Sequence, residues 1–357
     1  MIYKDIPVNV ITGFLGSGKT TLIKNLLTKV PKGETWAVLV NEFGEVGIDG
    51  ALLNGLGATI KEVPGGCLCC VTSAAFSAGL NSLIKHVNPD RILIEPTGIG
   101  HPAQIMAQLK ADSYKGVLDV RASVCLLDVR NLQDPRYLGH PAFFDQIDQA
   151  DVLVAAKADQ YSQEENEQFL TFVEQLKEAK KYVYSLNGEA SPLWLDHSRI
   201  KDSPQSHKHH SHDHDHDHDH DHDHDHDHDH DHDHDHDHDH DHDHDHDQIK
   251  VIEGEFATFY EKRDESLCSV GWVMKEGVVF DPSRVRRLAS VLRNDAGFWR
   301  LKGQLQVTSS SSIDCNITQS EVYIEANDIA VQSRLECLAG SENSLYRLKE
   351  LIEKEIF

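Results

Sequence analysis

The stretch Gly13-Phe14-Leu15-Gly16-Ser17-Gly18-Lys19-Thr20 decides how the rest of this 357-residue chain is read. It fits the pattern G-x-x-x-x-G-K-[ST], a loop whose backbone N–H groups cradle phosphate oxygens. A β-branched run, Val8-Asn9-Val10-Ile11, precedes it and a helical pattern from Thr20 to Thr28 follows, which is the strand–loop–helix context the motif requires. Gly13, Gly16 and Gly18 let the backbone approach phosphate without a Cβ in the way. Lys19 is placed to reach the β- and γ-phosphates, and the Thr20 hydroxyl to ligate Mg²⁺. The helix N-terminus behind the loop adds a positive partial charge. Gly13, Phe14, Leu15, Gly16, Ser17, Gly18, Lys19, Thr20 and Thr21 are therefore the candidate phosphate-binding residues. The bland alternative is a glycine-rich turn that matches by chance, and the strand and helix on either side argue against it.

Working outward, short apolar runs alternate with longer helical patterns from Pro7 to about Ser185. Strands are predicted at Val8 to Ile11, Trp36 to Val40, Ile60 to Val63, Arg91 to Ile94, Ala122 to Leu127, Val152 to Ala155 and Tyr182 to Tyr184. Helices are predicted between them, among others at Ser73 to Lys85, Pro102 to Ala111 and Gln163 to Lys180. This alternation implies an α/β fold of the P-loop NTPase kind, a doubly wound, mostly parallel sheet covered on both faces. From about Asn187 the pattern dissolves into Ser203-Pro204-Gln205-Ser206 and then eighteen His-Asp pairs, His212 to Asp247. No apolar residue occurs from His207 to Gln248, so this stretch reads as a disordered linker. A second patterned region follows, with strands at Glu253 to Tyr260, Leu267 to Met274, Trp299 to Gly303 and Val322 to Glu325. It also has helices at Asp281 to Leu292, capped by Asp281 with Pro282 first, and at Glu342 to Phe357. The expected division is a nucleotide-hydrolysing domain over 1–195, a His/Asp-rich metal-binding linker over 196–248, and a small α+β domain over 249–357.

Bulk composition narrows the function classes. The formal net charge is −25, but the eighteen Asp of the tract account for all of it except −7. A mildly acidic body without a basic stripe argues against nucleic acid or an anionic membrane surface as partner. Met1 to Pro7 carries no signal-peptide pattern, and no apolar run is long enough to span a bilayer, so a cytoplasmic protein is expected. Seven Cys fall as one dense cluster plus Cys125, Cys268, Cys315 and Cys337, which reads as metal or redox chemistry plus packed free thiols.

The dense cluster is Gly65-Gly66-Cys67-Leu68-Cys69-Cys70. The two glycines allow a tight turn that presents several sulfurs at one point. Thiolates select Zn²⁺ or Cu(I), and three adjacent sulfurs leave a tetrahedral ion one ligand short. A redox dithiol or buried structural thiols are the alternatives, though a vicinal Cys69-Cys70 disulfide would be strained and no thioredoxin-like flank is present. Asn41-Glu42-Phe43-Gly44-Glu45-Val46-Gly47-Ile48-Asp49-Gly50 follows the second strand, where a γ-phosphate-responsive switch normally lies. Glu42 and Glu45 are candidates to contact Mg²⁺, the attacking water or the metal, against the alternative of solvated carboxylates. Glu95, in Glu95-Pro96-Thr97-Gly98, is the candidate Mg²⁺-linked carboxylate, so Lys19, Glu42 and Glu95 form the candidate catalytic set. His101, just before Pro102, is a candidate metal ligand or the cap of a helix. Ala156-Lys157-Ala158-Asp159 stands where GTPases carry Asn-Lys-x-Asp. Asp159 can accept from the N–H donors of guanine and the Lys157 stem can lie over the base, with Ser185-Leu186-Asn187-Gly188 behind it. The alternative is a solvated Lys and a capping Asp.

Taken together, these residues resemble the CobW family of metal-handling P-loop GTPases. The resemblance is carried by Gly13 to Thr21, Asn41-Glu42-Phe43-Gly44-Glu45, Gly65-Gly66-Cys67-Leu68-Cys69-Cys70 and Glu95-Pro96-Thr97-Gly98, and it is nearest to the zinc-binding branch through Ala37 to Leu53. Phe298-Trp299-Arg300-Leu301-Lys302-Gly303 is similar to the Arg-x-Lys-Gly element of the family's C-terminal domain. The resemblance implies Mg²⁺-dependent hydrolysis of GTP tied to zinc delivery or homeostasis, with client metalloproteins and a homo-oligomer as expected partners. It also implies Cys67, Cys69 and Cys70 as Zn²⁺ ligands and Glu95 as the Walker-B-like carboxylate. Ala156 replaces the family's Asn, one base contact fewer, and Val40 stands where some members carry an acidic metal contact. A zinc or nickel buffer with a nucleotide-gated site, or a nickel or cobalt insertion GTPase, are the competing functions.

The His-Asp tract is a separate metal device. Neutral imidazoles such as His212, His214 and His246, and the other His of the run, bind Zn²⁺, Ni²⁺, Co²⁺ and Cu²⁺, and the interleaved Asp lower the cost of gathering cations. Without a fixed geometry, many weak and exchangeable sites are expected. The alternative is a repeat expansion tolerated in a linker. Deleting 212–247 should lower the number of Zn²⁺ bound per chain, read by equilibrium dialysis, and leave nucleotide turnover intact. Turnover lost with the tract would show that the two are not separable.

Overall fold

The computed structural model of the chain describes residues 3–40, 59–62, 73–178, 180–197, 250–263 and 267–356. Eight strands make the first sheet: β1 (Ile6–Gly13), β2 (Trp36–Val40), β3 (Thr59–Glu62), β4 (Arg91–Glu95), β5 (Leu118–Val120), β6 (Val124–Leu127), β7 (Val152–Ala155) and β8 (Lys181–Tyr184). Their order is β3-β2-β4-β1-β6-β7-β8, with β5 also paired to β1, and every pairing is parallel. The helices are α1 (Lys19–Leu27), α2 (Ser73–Val87), α3 (Pro102–Leu109), α4 (Pro135–Leu138), α5 (Pro141–Gln149) and α6 (Gln163–Glu174). Val10, Leu39 and Ile94 pack with Phe76, Leu80 and Ile105 on one face. Ile11, Val38 and Leu93 pack with Leu22, Ile23 and Leu26 on the other. Burial on both sides is why these strands read as apolar throughout. Strand order reverses about β1, between β4 and β6, and a crevice opens at the carboxyl ends there, where open α/β sheets take their ligands.

Seven strands build the second sheet: β9 (Lys250–Glu253), β10 (Ala257–Arg263), β11 (Cys268–Met274), β12 (Phe298–Gln306), β13 (Ser312–Thr318), β14 (Val322–Asn327) and β15 (Arg334–Ala339). They are antiparallel in the order β14-β13-β12-β15-β11-β10-β9. Helices α7 (Pro282–Leu292) and α8 (Glu342–Ile356) cover one face, where Leu288, Leu292, Leu348 and Ile352 pack against Val270, Trp272, Leu301 and Leu335. The alternate residues Arg300, Lys302 and Gln304 stand opposite Thr318, Asn316 and Asp314 and make the other face polar. β8 and β9 are each the terminal strand of their sheet.

The two sheets meet at the start of β12. Its register against β15 shifts between Phe298 and Arg300. Phe298 joins the helix-covered core and Leu301 returns to it, whereas Trp299 packs with Phe14, Leu15, Tyr137 and Phe143 of the first unit. The bulge thus turns two consecutive side chains, Trp299 and Arg300, to the same side. The Trp299 and Phe14 rings lie 5.7 Å apart, and the Arg136 guanidinium sits 5.0 Å from the Trp299 ring. Arg136 Nη1 also donates to the Phe298 carbonyl at 3.2 Å.

Several expectations change. The helix expected from Gln163 to Lys180 ends at Glu174, because Lys180 is buried and its Nζ donates to the carbonyls of Asp148 and Ala150 beside β7. The single strand expected from Glu253 to Tyr260 is a hairpin, closed by Gly254 N–H donating to the Ala257 carbonyl. The strand expected from Ala122 starts at Val124, since Ser123 N–H is taken by Asp151. Strands β5, β13 and β15 and helices α4 and α5 are additions to the elements expected from the sequence. Cys125, Cys268, Cys315 and Cys337 are buried thiols outside any disulfide among the described residues, as expected, and burial pushes those of Cys125 and Cys315 up to about 11 and about 12. Trp299→Ala would remove a large aromatic from the seam, a truncation that costs roughly 3–5 kcal/mol in a packed core. The expected outcome is faster amide hydrogen exchange across 13–19 with β2 and β4 still protected. Unchanged exchange at Phe14 would mean that the seam does not hold the loop.

Candidate active site

The phosphate loop joins β1 to α1 at the switch point. Gly13 lies at φ 141° and Gly18 at φ 98°, backbone that favours glycine, and a Cβ at Gly13 would come within 2.6 Å of the Leu126 carbonyl. Gly18 precedes α1 without a side-chain cap, and the first turn holds no acid, so its amides are left to an anion. Lys19 is 8% exposed and its Nζ donates to the carbonyls of Gly13 at 2.8 Å and Phe14 at 3.4 Å. Burial pulls its pKa from the ordinary 10.5 down to about 8; Glu95 opposes the shift, and the nearby Arg300 and Lys302 add to it. Thr20 Oγ1 donates to Glu95 Oε1 at 2.9 Å, and Glu95 is buried at the carboxyl end of β4. The structure therefore brings Lys19, Thr20 and Glu95 together.

The base end is built from two loops. Lys157 and Asn187 both have positive φ, 59° and 51°, an uncommon conformation for such residues. Ala158 N–H donates to the Ser185 carbonyl, and Asn187 N–H to Asp159 Oδ1 at 2.7 Å, which ties 157–159 to 185–188. Lys157 is not a solvated lysine: its Nζ lies 3.6 Å from the buried Asp128 carboxylate and pairs with Glu321. Asp159 does not cap a helix. Ala156 is buried among Val152, Val154 and Leu195, leaving a methyl where the family pattern has an amide. His101 occupies the N-cap position of α3 without a capping bond from its side chain; its Nδ1 lies 2.9 Å from Asp145 Oδ2. Among the described residues no group of three or more His, Cys, Asp and Glu side chains is placed to hold a metal. Glu42, Glu45, Cys67, Cys69, Cys70, His212, His214 and His246 lie outside the described residues.

One part of the site escapes sequence reasoning. A cavity of ≈ 330 Å³ is floored by Gly16, Gly18, Lys19, Thr20 and Glu95 and roofed by Arg300, Lys302 and Asn316 on the polar face of the second sheet and by Glu321 just before β14. The available signal is Arg300-x-Lys302, two cations at strand spacing between the buried residues Trp299, Leu301 and Gly303. Period 2 puts both on one face, but it does not say what that face meets.

A family model described as CobW/HypB/UreG, nucleotide-binding domain, matches residues 7–184. The zinc chaperone YeiR of Escherichia coli (strain K12) is 48% identical over 191 residues, which cover 54% of this chain and 58% of YeiR. The zinc chaperone CobW of Sinorhizobium sp is 36% identical over 155 residues, 42% of each chain. The chain thus spans about half the length of the curated relatives it matches. Among solved structures, the Zn(II)-bound YjiA GTPase from E. coli aligns over 98% of both chains with 16% identity and a TM-score of 0.42. Residues 7–184, which carry the phosphate loop, Glu95 and the loop of Lys157, are a nucleotide-binding domain of the CobW/HypB/UreG family.

Proposed function

We propose that this chain is a zinc-binding GTPase of the cytoplasm. It couples hydrolysis of GTP to GDP and phosphate with binding zinc and passing it to a client metalloprotein. One adjacency carries the reading. Val40 is the register partner of both Glu62 and Glu95, so the carboxyl ends of β2, β3 and β4 lie side by side. The chain leaving β2 runs directly to Glu42 and Glu45, and the chain leaving β3 runs to Cys67, Cys69 and Cys70. Glu95, at the end of β4, is bonded to Thr20 at the phosphate loop. A candidate γ-phosphate sensor and a candidate zinc site thus depart from strands next to the nucleotide carboxylate. The similarity to YeiR, named a zinc chaperone, supports zinc as the cargo.

In this reading residues 1–195 bind and hydrolyse GTP, 196–248 collect metal, and 249–357 close the site. The amides of the loop and Lys19 hold the β- and γ-phosphates, and Glu42 orients the attacking water. Thr20 and Glu95 offer the hard oxygen donors that Mg²⁺ takes, and they would hold it. Bound there, Mg²⁺ would neutralise charge on the phosphate oxygens. Asp159 accepts from guanine, and Lys157 covers the base. Cys67, Cys69 and Cys70 hold Zn²⁺ with one position open for transfer, with Glu45 and His101 as candidate extra ligands. A homo-oligomer is a further expectation. Among the described residues no helix is long and apolar enough to cross a membrane.

Linkage requires reciprocity between the two ligands. In the chain lacking 212–247, exchanging GDP for a non-hydrolysable GTP analogue should change Zn²⁺ affinity by about 5- to 150-fold, and Zn²⁺ should change affinity for the analogue relative to GDP by the same factor. Equal Zn²⁺ affinities in the two nucleotide states would refute the coupling. Cys67→Ser, Cys69→Ser and Cys70→Ser should each abolish this nucleotide-sensitive zinc site. For the base, Asp159→Asn should weaken GTP binding by at least about 10²-fold, because the acceptor for two guanine donors is lost. The same variant should gain affinity for xanthosine triphosphate, and unchanged GTP binding would remove Asp159 from the site.

A further inference from the structure

We propose that Arg300, carried by β12 of the second sheet, is an arginine finger supplied within the same chain to the triphosphate. The inference rests on the GTPase reading above and adds a catalytic group from outside the matched nucleotide-binding domain. Arg300 lines the same cavity as Lys19, Thr20 and Glu95. It is 8% exposed, and its cationic neighbour Lys302, on the same face, is 4% exposed. Both are close enough to act on Lys19 electrostatically. Its position is built rather than incidental, since the bulge between Phe298 and Arg300 turns it beside Trp299 toward the phosphate loop.

The donor inventory of Arg300 is incompletely used. Its Nη2 donates to Glu336 Oε2 at 3.3 Å, while its Nε is sealed from solvent and makes no hydrogen bond among the described residues. A guanidinium carries five N–H donors in a rigid fork, and burying it with one long bond is costly. Phosphate oxygens offer acceptors in the geometry that the fork matches. In the step itself, the water oxygen forms a bond to the γ-phosphorus and the bond from γ-phosphorus to the bridging oxygen breaks. The electron pair stays on GDP, and the water proton leaves with inorganic phosphate. Arg300 remains protonated throughout and offsets the negative charge spread over the transferring oxygens. The competing role is structural, a buried ion pair joining β12 to β15 through Glu336.

The experiment uses the full chain with GTP and Mg²⁺ and measures single-turnover hydrolysis, GDP affinity, and formation of a GDP–aluminium fluoride complex that mimics the transferring phosphoryl group. Arg300→Ala should lower kcat by about 10²-fold or more and prevent the fluoride complex, with GDP affinity within about threefold of wild type. Arg300→Lys keeps the charge but not the fork and should stay slow. If Arg300→Ala does not fold, Arg300→Gln with Glu336→Gln removes both charges of that ion pair and should show the same pattern. Hydrolysis within about threefold of wild type in any of these variants overturns the proposal and leaves the GTPase reading intact. Loss of GDP binding in step with turnover in the double variant also overturns it, in favour of the structural role. A wild-type chain that binds GTP but never hydrolyses it defeats the GTPase reading itself.

Discussion

The contact between Phe14 and Trp299 is the hinge of this architecture. Phe14 is part of the phosphate loop, and Trp299 is the bulged residue of β12, so this aromatic pair ties the loop to the second sheet. Tyr137 and His140 close around Phe14 at 4.9 and 5.0 Å, and the Arg136 guanidinium lies over the Trp299 ring. Edge-to-face and tilted ring pairs of this kind contribute about 0.5–1.5 kcal/mol each beyond their area. The cluster therefore fixes the distance between floor and roof of the cavity. A glycine-rich loop has little stiffness of its own, and here its shape is supported from outside by a side chain about 285 residues downstream in the same chain.

Electrostatics is organised around an anion. Lys19, Lys24, Lys157, Arg300 and Lys302 line the cavity against Glu95, Asp314, Glu321 and Glu325. The cations nearest the loop repel one another, which is one reason Lys19 holds its proton less tightly than an ordinary lysine. A phosphate chain reverses that balance, because it supplies negative charge where the buried cations converge. The acids are placed differently. Glu95 lies against Thr20, and Glu321 lies against Lys157 at the other end. The base end and the phosphate end are thus each held by a polar pair, but only the base-end pair crosses between the two sheets.

Much of this is legible in the chain's own pattern of residues. β2 and β7 fall where the apolar runs put them, and the start of α1 follows from Gly18-Lys19-Thr20. Local rules suffice there because burial on both faces writes an unbroken apolar run. The losses have physical causes too. Gln163 to Lys180 carries helical periodicity past Glu174, yet two carbonyl acceptors for Lys180 outweigh it. β13 alternates Ile313, Cys315 and Ile317, but the Asp314 and Asn316 between them disfavour strands, so its strand signal is weak. The roof of the site is illegible for a different reason. Arg300 and Lys302 announce a polar strand face, and only the packing of Trp299 reveals what that face covers.

The strands β8 and β9 each end their sheet, and the whole His-Asp tract lies between them. A segment joining two outer edges displaces no hydrogen-bonded neighbour when it is lengthened, and each doubling of a connection costs only about 0.6 kcal/mol of closure entropy. A two-residue repeat placed there can gain or lose copies with both folding units almost indifferent to its length. The number of imidazoles is in that sense a dial, open to adjustment by replication slippage without disturbing the folded units on either side.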